Sequence, residues 1–500
     1  MIIRNKHLYK YLLVCLFSFF YVLGFAPFNF FFLGVLAIVG ISFIFKRASN
    51  KKELVSLTLL SSLVISIFGM YWLVYAANYT FESKFLGVLV LIGFSFLYSV
   101  FMFMVSIPIY LANKNRKFYF FVLVIAWSAM DCFKFYFLGG FPWFLSAYLW
   151  SETLPIIQIV SVIGVVGLSV FTYALVFSLY VLFNGNISKS FRFNTLFIFI
   201  IAFAGFYFYG QARINYLNIL PAEKTLKVRL VQTNISQATK LKSNTSEIIA
   251  DSVLPQISLD IEKANPQMIF LPETSFIFFN EKYFNNKITQ TPNIPLVVGV
   301  LRLDVENHAY NSVFNIQNRK VIDYYDKIRL VPFGERIPFS DYFPSILNFV
   351  GLENLTAGEE VRIFTIGDYK LVPTVCFEGL FPLENITAND VDFILNTANE
   401  AWFNQSIELD QNWDIYKFRS IETGVPSLKV ANTGISGAYD LKGDILFEVE
   451  PFIKINADMI FPIKKTTTVF SKINYHNINY GIFILYVIML SLVFLRKNIV

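Results

Sequence analysis

The chain has 500 residues, of which 55% are hydrophobic and 15% charged, with 57 Phe and 27 Tyr; this excludes a soluble protein with an all-polar surface and a disordered or low-complexity chain. The net charge of +6 does not point to nucleic acid, because the Lys and Arg are scattered and many flank apolar segments, where they read as topology signals. Cys15, Cys132 and Cys376 form no spaced pair, and His7, His308 and His476 are isolated, so no disulfide framework, CxxC motif, metal or other cofactor is expected.

Apolar runs long enough to cross a hydrocarbon core, which takes about 20 helical residues, fall at 11–26, 28–45, 54–77, 85–112, 118–136, 155–183, 194–210 and 479–495. The first reads as a retained anchor, since the apolar chain resumes after Pro27 with no cleavage motif. Arg4, Lys6 and Lys10 precede the first run; Lys46, Arg47, Lys51 and Lys52 follow the second; Lys114, Arg116 and Lys117 the fourth; Lys189 and Arg192 the sixth; Arg496 and Lys497 the last. The alternate connections, around 27–29, 78–84 and 137–153, hold only Lys84. By the positive-inside rule both termini are cytoplasmic and the stretch after the seventh run lies outside the cytoplasm. Asp131, inside the fifth run, is costly in lipid and has Lys134 three residues on, a spacing that suits a structural pair.

Residues 211–478 have another texture. Short β-rich runs at 227–233, 267–271, 295–301, 311–316, 370–376, 391–396 and 427–431 alternate with polar or helical stretches, as in one α/β domain. The expected division is therefore 1–210, seven transmembrane helices; 211–478, the extracytoplasmic catalytic domain; and 479–500, a last transmembrane helix.

Three strand ends finish on functional side chains: Leu271-Pro272-Glu273, Tyr325-Asp326-Lys327 and Val375-Cys376-Phe377-Glu378. Cysteine attack on an acyl carbon needs a base for the thiol proton, a cation for the oxyanion and a backbone N–H aimed at the same oxygen. Glu, Lys and Cys can supply this without histidine.

LPE at 271–273, YDK followed by LVPFGE at 325–335 and CFE at 376–378 resemble the Glu-Lys-Cys triad of the nitrilase superfamily. LVPFGE and the helix bundle are similar to its membrane-bound branch, the bacterial apolipoprotein N-acyltransferases; GFAPF (24–28), GGFPW (139–143), VQTNISQ (231–237), NEAWF (399–403), RSIETGVP (419–426) and ANTGIS (431–436) agree. The resemblance implies a membrane α-helical bundle of about eight helices carrying a nitrilase-like four-layer αββα sandwich. It makes Cys376 the nucleophile, Glu273 the general base and Lys327 an oxyanion stabiliser, with the Phe377 N–H completing the oxyanion hole. Glu335 and Glu378 match supporting acidic residues. Trp402, in NEAWF, is a supporting or substrate-binding residue in the same resemblance, and Trp143 would lie in an outer-face loop able to touch phospholipid.

The chain departs from the family pattern at Leu241 (commonly Trp), Phe377 (Tyr), Glu400 (Asp), Asn404 (Gly) and Asn412 (often His). None removes a triad member. Against these readings stand plainer ones: Cys15 and Cys132 are buried hydrophobes, Glu273 and Lys327 could form a structural ion pair, and Glu335 and Glu378 could be carboxylates that accept loop N–H bonds.

The resemblance implies transfer of a fatty acyl chain from membrane phospholipid, through a Cys376 thioester, to the α-amino group of the S-diacylglyceryl cysteine of an apolipoprotein. The partners are then the phospholipid donor, the diacylglyceryl-apolipoprotein acceptor and the bilayer of the bacterial inner membrane. The alternative is a membrane-tethered nitrilase-like amidase with the same triad, which would have no need of eight spans. A transporter fits less well, since the spans lack inverted repeats and paired broken helices.

Overall fold

A computed structural model describes residues 2–112, 117–182, 187–242, 245–277, 281–340, 342 and 354–497. Of the basic connections, Lys114 and Arg116 lie outside these residues. The chain divides into two units, Met1–Tyr216 with Gln405–Asp414 and Ile473–Val500, and Leu217–Asn404 with Ile415–Lys472.

In the first unit, five helices are long and apolar enough to cross a membrane: Lys51–Gly69, Lys84–Leu111, Val160–Leu182, Lys189–Ile219 and Tyr475–Leu495. Three shorter apolar helices, Leu8–Leu23, Phe31–Lys46 and Phe118–Phe133, accompany them. Local chemistry sets their ends. Asn50 caps Lys51–Gly69 by accepting from the Glu53 N–H at 2.9 Å, and Glu53, three residues in, meets the buried Lys10 ammonium at 2.9 Å. The run read as 54–77 is broken. Its first helix ends at Gly69, where a Cβ would lie 2.6 Å from the Phe144 ring, and a second helix runs Leu73–Phe81.

Asp131 and Lys134 pair at 3.0 Å, both buried. Their remaining bonds hold the irregular segment after them: Asp131 accepts from the Ser146 N–H (3.0 Å) and the Tyr173 hydroxyl (2.8 Å), and Lys134 donates to the Phe144 carbonyl (3.0 Å). Buried backbone outside a helix needs such partners from the protein itself.

The second unit holds twelve strands among its described residues: β1 Lys224–Gln232, β2 Met268–Ile277, β3 Leu296–Leu303, β4 Ala309–Gln317, β5 Lys320–Asp326, β6 Phe364–Ile366, β7 Tyr369–Val375, β8 Phe393–Ala398, β9 Ser427–Ala431, β10 Ser436–Tyr439, β11 Ile445–Val449 and β12 Ile455–Ile463. They form two six-stranded sheets, β12-β1-β2-β3-β4-β5 and β11-β10-β9-β8-β7-β6. In each, the parallel pairs lie at the centre (β1–β2–β3 and β7–β8–β9) and antiparallel strands at the edges.

The continuous apolar runs follow from burial on both faces. Met268 and Phe270 of β2 join Val228, Leu371, Phe393 and Leu428 in one core shared by the two sheets. Their alternates, Ile269 and Leu271, pack with Ile249, Val253 and Ile257 of the helix Thr245–Ser258. Phe270 and Phe393 meet edge to face across the sheets, with centroids 6.1 Å apart; each buried Phe contributes about 1.5–3 kcal/mol. The second sheet is covered by the later part of the helix Glu408–Thr423, whose Tyr416 hydroxyl donates to the Leu428 carbonyl (3.2 Å) and whose Arg419 donates to that of Leu380 (3.1 Å).

Candidate active site

Glu273 sits in a break in β2. Pro272 has no N–H for the ladder, the register with β3 shifts between Leu271 and Phe276, and Thr274 takes a left-handed φ of 50°. A bulge of this kind re-aims a side chain. The neighbouring strand must approach closely there: a Cβ on Gly299 would lie 2.5 Å from the Glu273 Cα and from the Pro272 oxygen. The Glu273 carboxylate is buried and accepts from Asn311 Nδ2 (2.6 Å) on one oxygen and from the Asn399 N–H (2.7 Å) on the other.

Lys327 is the residue after β5. Its N–H donates to the Asn311 carbonyl (2.8 Å), and its ammonium, 1% exposed, lies 2.8 Å from Glu335 and 3.7 Å from Glu273 Oε1. Burial pushes its pKa down, but Glu335, Glu273 and Cys376 together hold it above the ordinary lysine value. The ammonium therefore stays charged at neutral pH.

Cys376 follows β7, partly exposed, with a left-handed φ of 48°, and opens the tight turn Cys376–Leu380. Asn396 Nδ2 donates to its carbonyl (3.1 Å). Phe377 is buried, its ring packed against Phe381.

The two further carboxylates do different work. Glu335 accepts from Lys327, from Asn311 Nδ2 (3.0 Å) and from the Val331 N–H (2.7 Å), tying the LVPFGE loop to the ammonium. Glu378 accepts from the Tyr325 hydroxyl (2.7 Å) and the N–H groups of Ile328 (2.8 Å), Arg329 (3.0 Å) and Val375 (2.8 Å). It thus binds the backbone after Lys327 to the strand before Cys376. Burial pushes its carboxyl up, against the pull of these donors and of Lys327.

The helix-rich and sheet-rich parts of the chain match two family models: the apolipoprotein N-acyltransferase N-terminal domain over residues 17–178 and the carbon-nitrogen hydrolase over 227–455. Several curated relatives bear the same name. The apolipoprotein N-acyltransferase of Aquifex aeolicus is 27% identical over 68% of this chain and 76% of its own, that of Rickettsia prowazekii 28% over 81% and 82%, and that of Haemophilus influenzae 26% over 90% and 88%. The chain belongs to the apolipoprotein N-acyltransferase family. It is a multi-pass membrane protein with a carbon-nitrogen-hydrolase fold.

The remaining positions where it matches or leaves the acyltransferase pattern have distinct settings. Trp143 is 2% exposed, stacked on Phe141 and tilted against Trp72, and its indole N–H donates to Gln411 (2.8 Å), so its ring is enclosed by protein rather than open to lipid. Trp402 is partly exposed in the turn Glu400–Phe403. Glu400, in place of Asp, is fully buried in an ion pair with Lys429, and Asn412 donates to Glu408 (3.2 Å). Leu241, where relatives commonly have Trp, is 53% exposed.

Sequence reading missed three contributors. Asn311 bridges Glu273 and Glu335, the Asn399 N–H holds the second Glu273 oxygen, and Lys240 donates to the backbone of the β2 bulge. Asn311 opens the β-rich run 311–316 and Asn399 opens the NEAWF motif, so both stretches were visible although the roles were not. Asn399 is steadied by Gln237 (3.1 Å) and Asn432 (2.9 Å), which joins NEAWF, VQTNISQ and ANTGIS in one amide network.

Proposed function

We propose that the protein N-acylates lipoproteins, taking the acyl chain from membrane phospholipid through a thioester on Cys376. The observation that carries this reading is the meeting of Glu273 and Lys327 at 3.7 Å, with Cys376 acting on the same ammonium. Glu273 takes the thiol proton as the sulfur attacks the ester carbonyl of the phospholipid. The oxyanion faces Lys327 and the Phe377 N–H; the C–O bond then breaks, Glu273 returns the proton, and a lysophospholipid leaves. In the second half the α-amine attacks the thioester, Glu273 takes a proton from it, and Cys376 leaves as the thiol, closing a ping-pong cycle. An α-amine with a reference pKa near 7.7–8.0 is partly neutral at physiological pH.

In the same reading the chain spans the inner membrane about eight times, with residues 211–478 periplasmic and both termini cytoplasmic. The two sheets and the helices against them are layers of an αββα sandwich. Purified protein incubated with labelled phospholipid and a diacylglyceryl peptide should carry the acyl group first on Cys376 and then on the peptide amine, followed by mass spectrometry. Release of free fatty acid with no acylated peptide would instead mean a hydrolase.

A further inference from the structure

After β1 the chain makes the short helix Gln237–Lys240, capped by Ser236, whose hydroxyl accepts from the Thr239 N–H at 3.2 Å. This turn sends Lys240 inward and leaves Leu241 exposed. The Lys240 ammonium reaches three oxygens: the Glu273 carbonyl (3.2 Å), the Thr274 carbonyl (3.1 Å) and the Thr274 hydroxyl (2.8 Å). An ammonium has three donors. All three are spent on two consecutive residues of the β2 bulge.

Those residues need such a partner. Where the ladder with β3 lapses between Leu271 and Phe276, carbonyls inside the domain lose their strand donors, and an unpaired buried carbonyl is costly. Thr274, at φ 50°, is also in a conformation that β-branched residues rarely adopt. Lys327 and Asn311 act on the Glu273 carboxylate, whereas Lys240 grips the backbone that carries it. The site keeps a lysine there although burial pushes its ammonium down to about 7, with Glu273 the charged neighbour that raises it.

We propose that Lys240 is a positioning residue for acyl transfer: its ammonium clamps the carbonyls of Glu273 and Thr274, fixes the strained bulge, and so aims the Glu273 carboxylate at the thiol. The inference rests on Glu273 being the base. It assigns Lys240 no contact with substrate.

The test is single-turnover acylation of Cys376 in the full-length protein, with dioleoyl phosphatidylethanolamine in detergent micelles as donor. Lys240→Met should slow acylation about a hundred-fold, the loss expected when a catalytic group is misplaced by about 1 Å, while KM for the phospholipid stays within about twofold of wild type. Glycine accepts a positive φ without a clamp. The loss from Lys240→Met should therefore be at least about ten-fold smaller in a Thr274→Gly background than in wild type, a coupling between touching residues. Should Lys240→Met fail to fold, Lys240→Arg with and without Thr274→Gly makes the same comparison. Wild-type acylation by Lys240→Met, a change in KM alone, or equal losses in both backgrounds would overturn the clamp. Glu273→Gln separates the two readings: if it acylates at the wild-type rate, the base assignment itself fails. If it is inactive while Lys240→Met is normal, only the clamp fails.

Discussion

Replacing Lys327 by Met removes a cation from between two carboxylates while nearly keeping its volume. The ammonium lies 2.8 Å from Glu335 and 3.7 Å from Glu273. At an effective dielectric of about 20 these separations correspond to gross attractions of about 6 and about 4.5 kcal/mol. Most of that offsets the desolvation of the three groups. What the substitution exposes is the uncompensated buried charge left behind, about 3–5 kcal/mol of stability. Rate suffers separately: loss of one oxyanion donor costs about 2.7–4 kcal/mol, a hundred- to a thousand-fold. The two losses can be told apart, because adding Glu335→Gln removes surplus negative charge but supplies no oxyanion donor. Chemical unfolding in detergent, followed by intrinsic fluorescence, should show the double variant recovering stability, while single-turnover acylation should show no recovery of rate. Since Lys327 is held above the ordinary lysine pKa, its stabilisation is complete below about pH 10.4 and is lost only as pH rises through the higher folded value. The stability gap between wild type and Lys327→Met should therefore be flat between about pH 7 and 9. Wild-type acylation by Lys327→Met, or recovery of rate along with stability on adding Glu335→Gln, would refute this account.

Cys376→Ala should fold and bind phospholipid but form no acyl-enzyme on mass spectrometry, since the atom that receives the acyl group is gone; N-acylated peptide at a wild-type rate would end the covalent mechanism. Gly299→Ala puts a Cβ 2.5 Å from the backbone of Glu273, and should cost about 1–3 kcal/mol of stability by overpacking and slow acylation as the bulge shifts; an unchanged melting temperature would count against so tight a fit. Alkaline phosphatase fused near residue 300 should be active in cells, and an inactive fusion would reverse the proposed topology.

The strand ends at Glu273 and Cys376 were legible because each closes an apolar run, whereas Lys327 follows the mixed strand KVIDYYD and was picked out by YDK and the LVPFGE after it. Asn311, Lys240 and Asn399 were not, because each acts on Glu273 or its carbonyl from 38, 33 and 126 residues away in sequence. A side-chain amide at the head of a strand carries no sign of the carboxylate it will meet. Strands β10, β11 and β12 escaped for another reason. β10 has four residues, and β11 and β12, each interrupted by exposed positions, lack the uninterrupted apolar run that marks a strand buried on both faces. In the helices, hydropathy located the apolar stretches but not their breaks. The turn after Gly69 depends on the Trp72 indole donating to the Gly69 carbonyl (3.2 Å), and the helix from Lys189 continues to Ile219, past the apolar limit at 210, through the polar sequence QARINYLNI.

The antiparallel pairing of β1 with β12 runs the full length of both strands, from Lys224 opposite Ile463 to Gln232 opposite Ile455. The first and last strands of the sheet-rich unit are thus neighbours, and its outermost chain ends lie side by side at one seam. An insertion with adjoining ends asks little of its host, which need only bridge a gap of one strand spacing, about 4.8 Å. A pull that separated the two tethers would therefore load the Lys224–Ile463 end first and open the β1–β12 ladder one pair at a time, so that the seam is where this unit would begin to come apart.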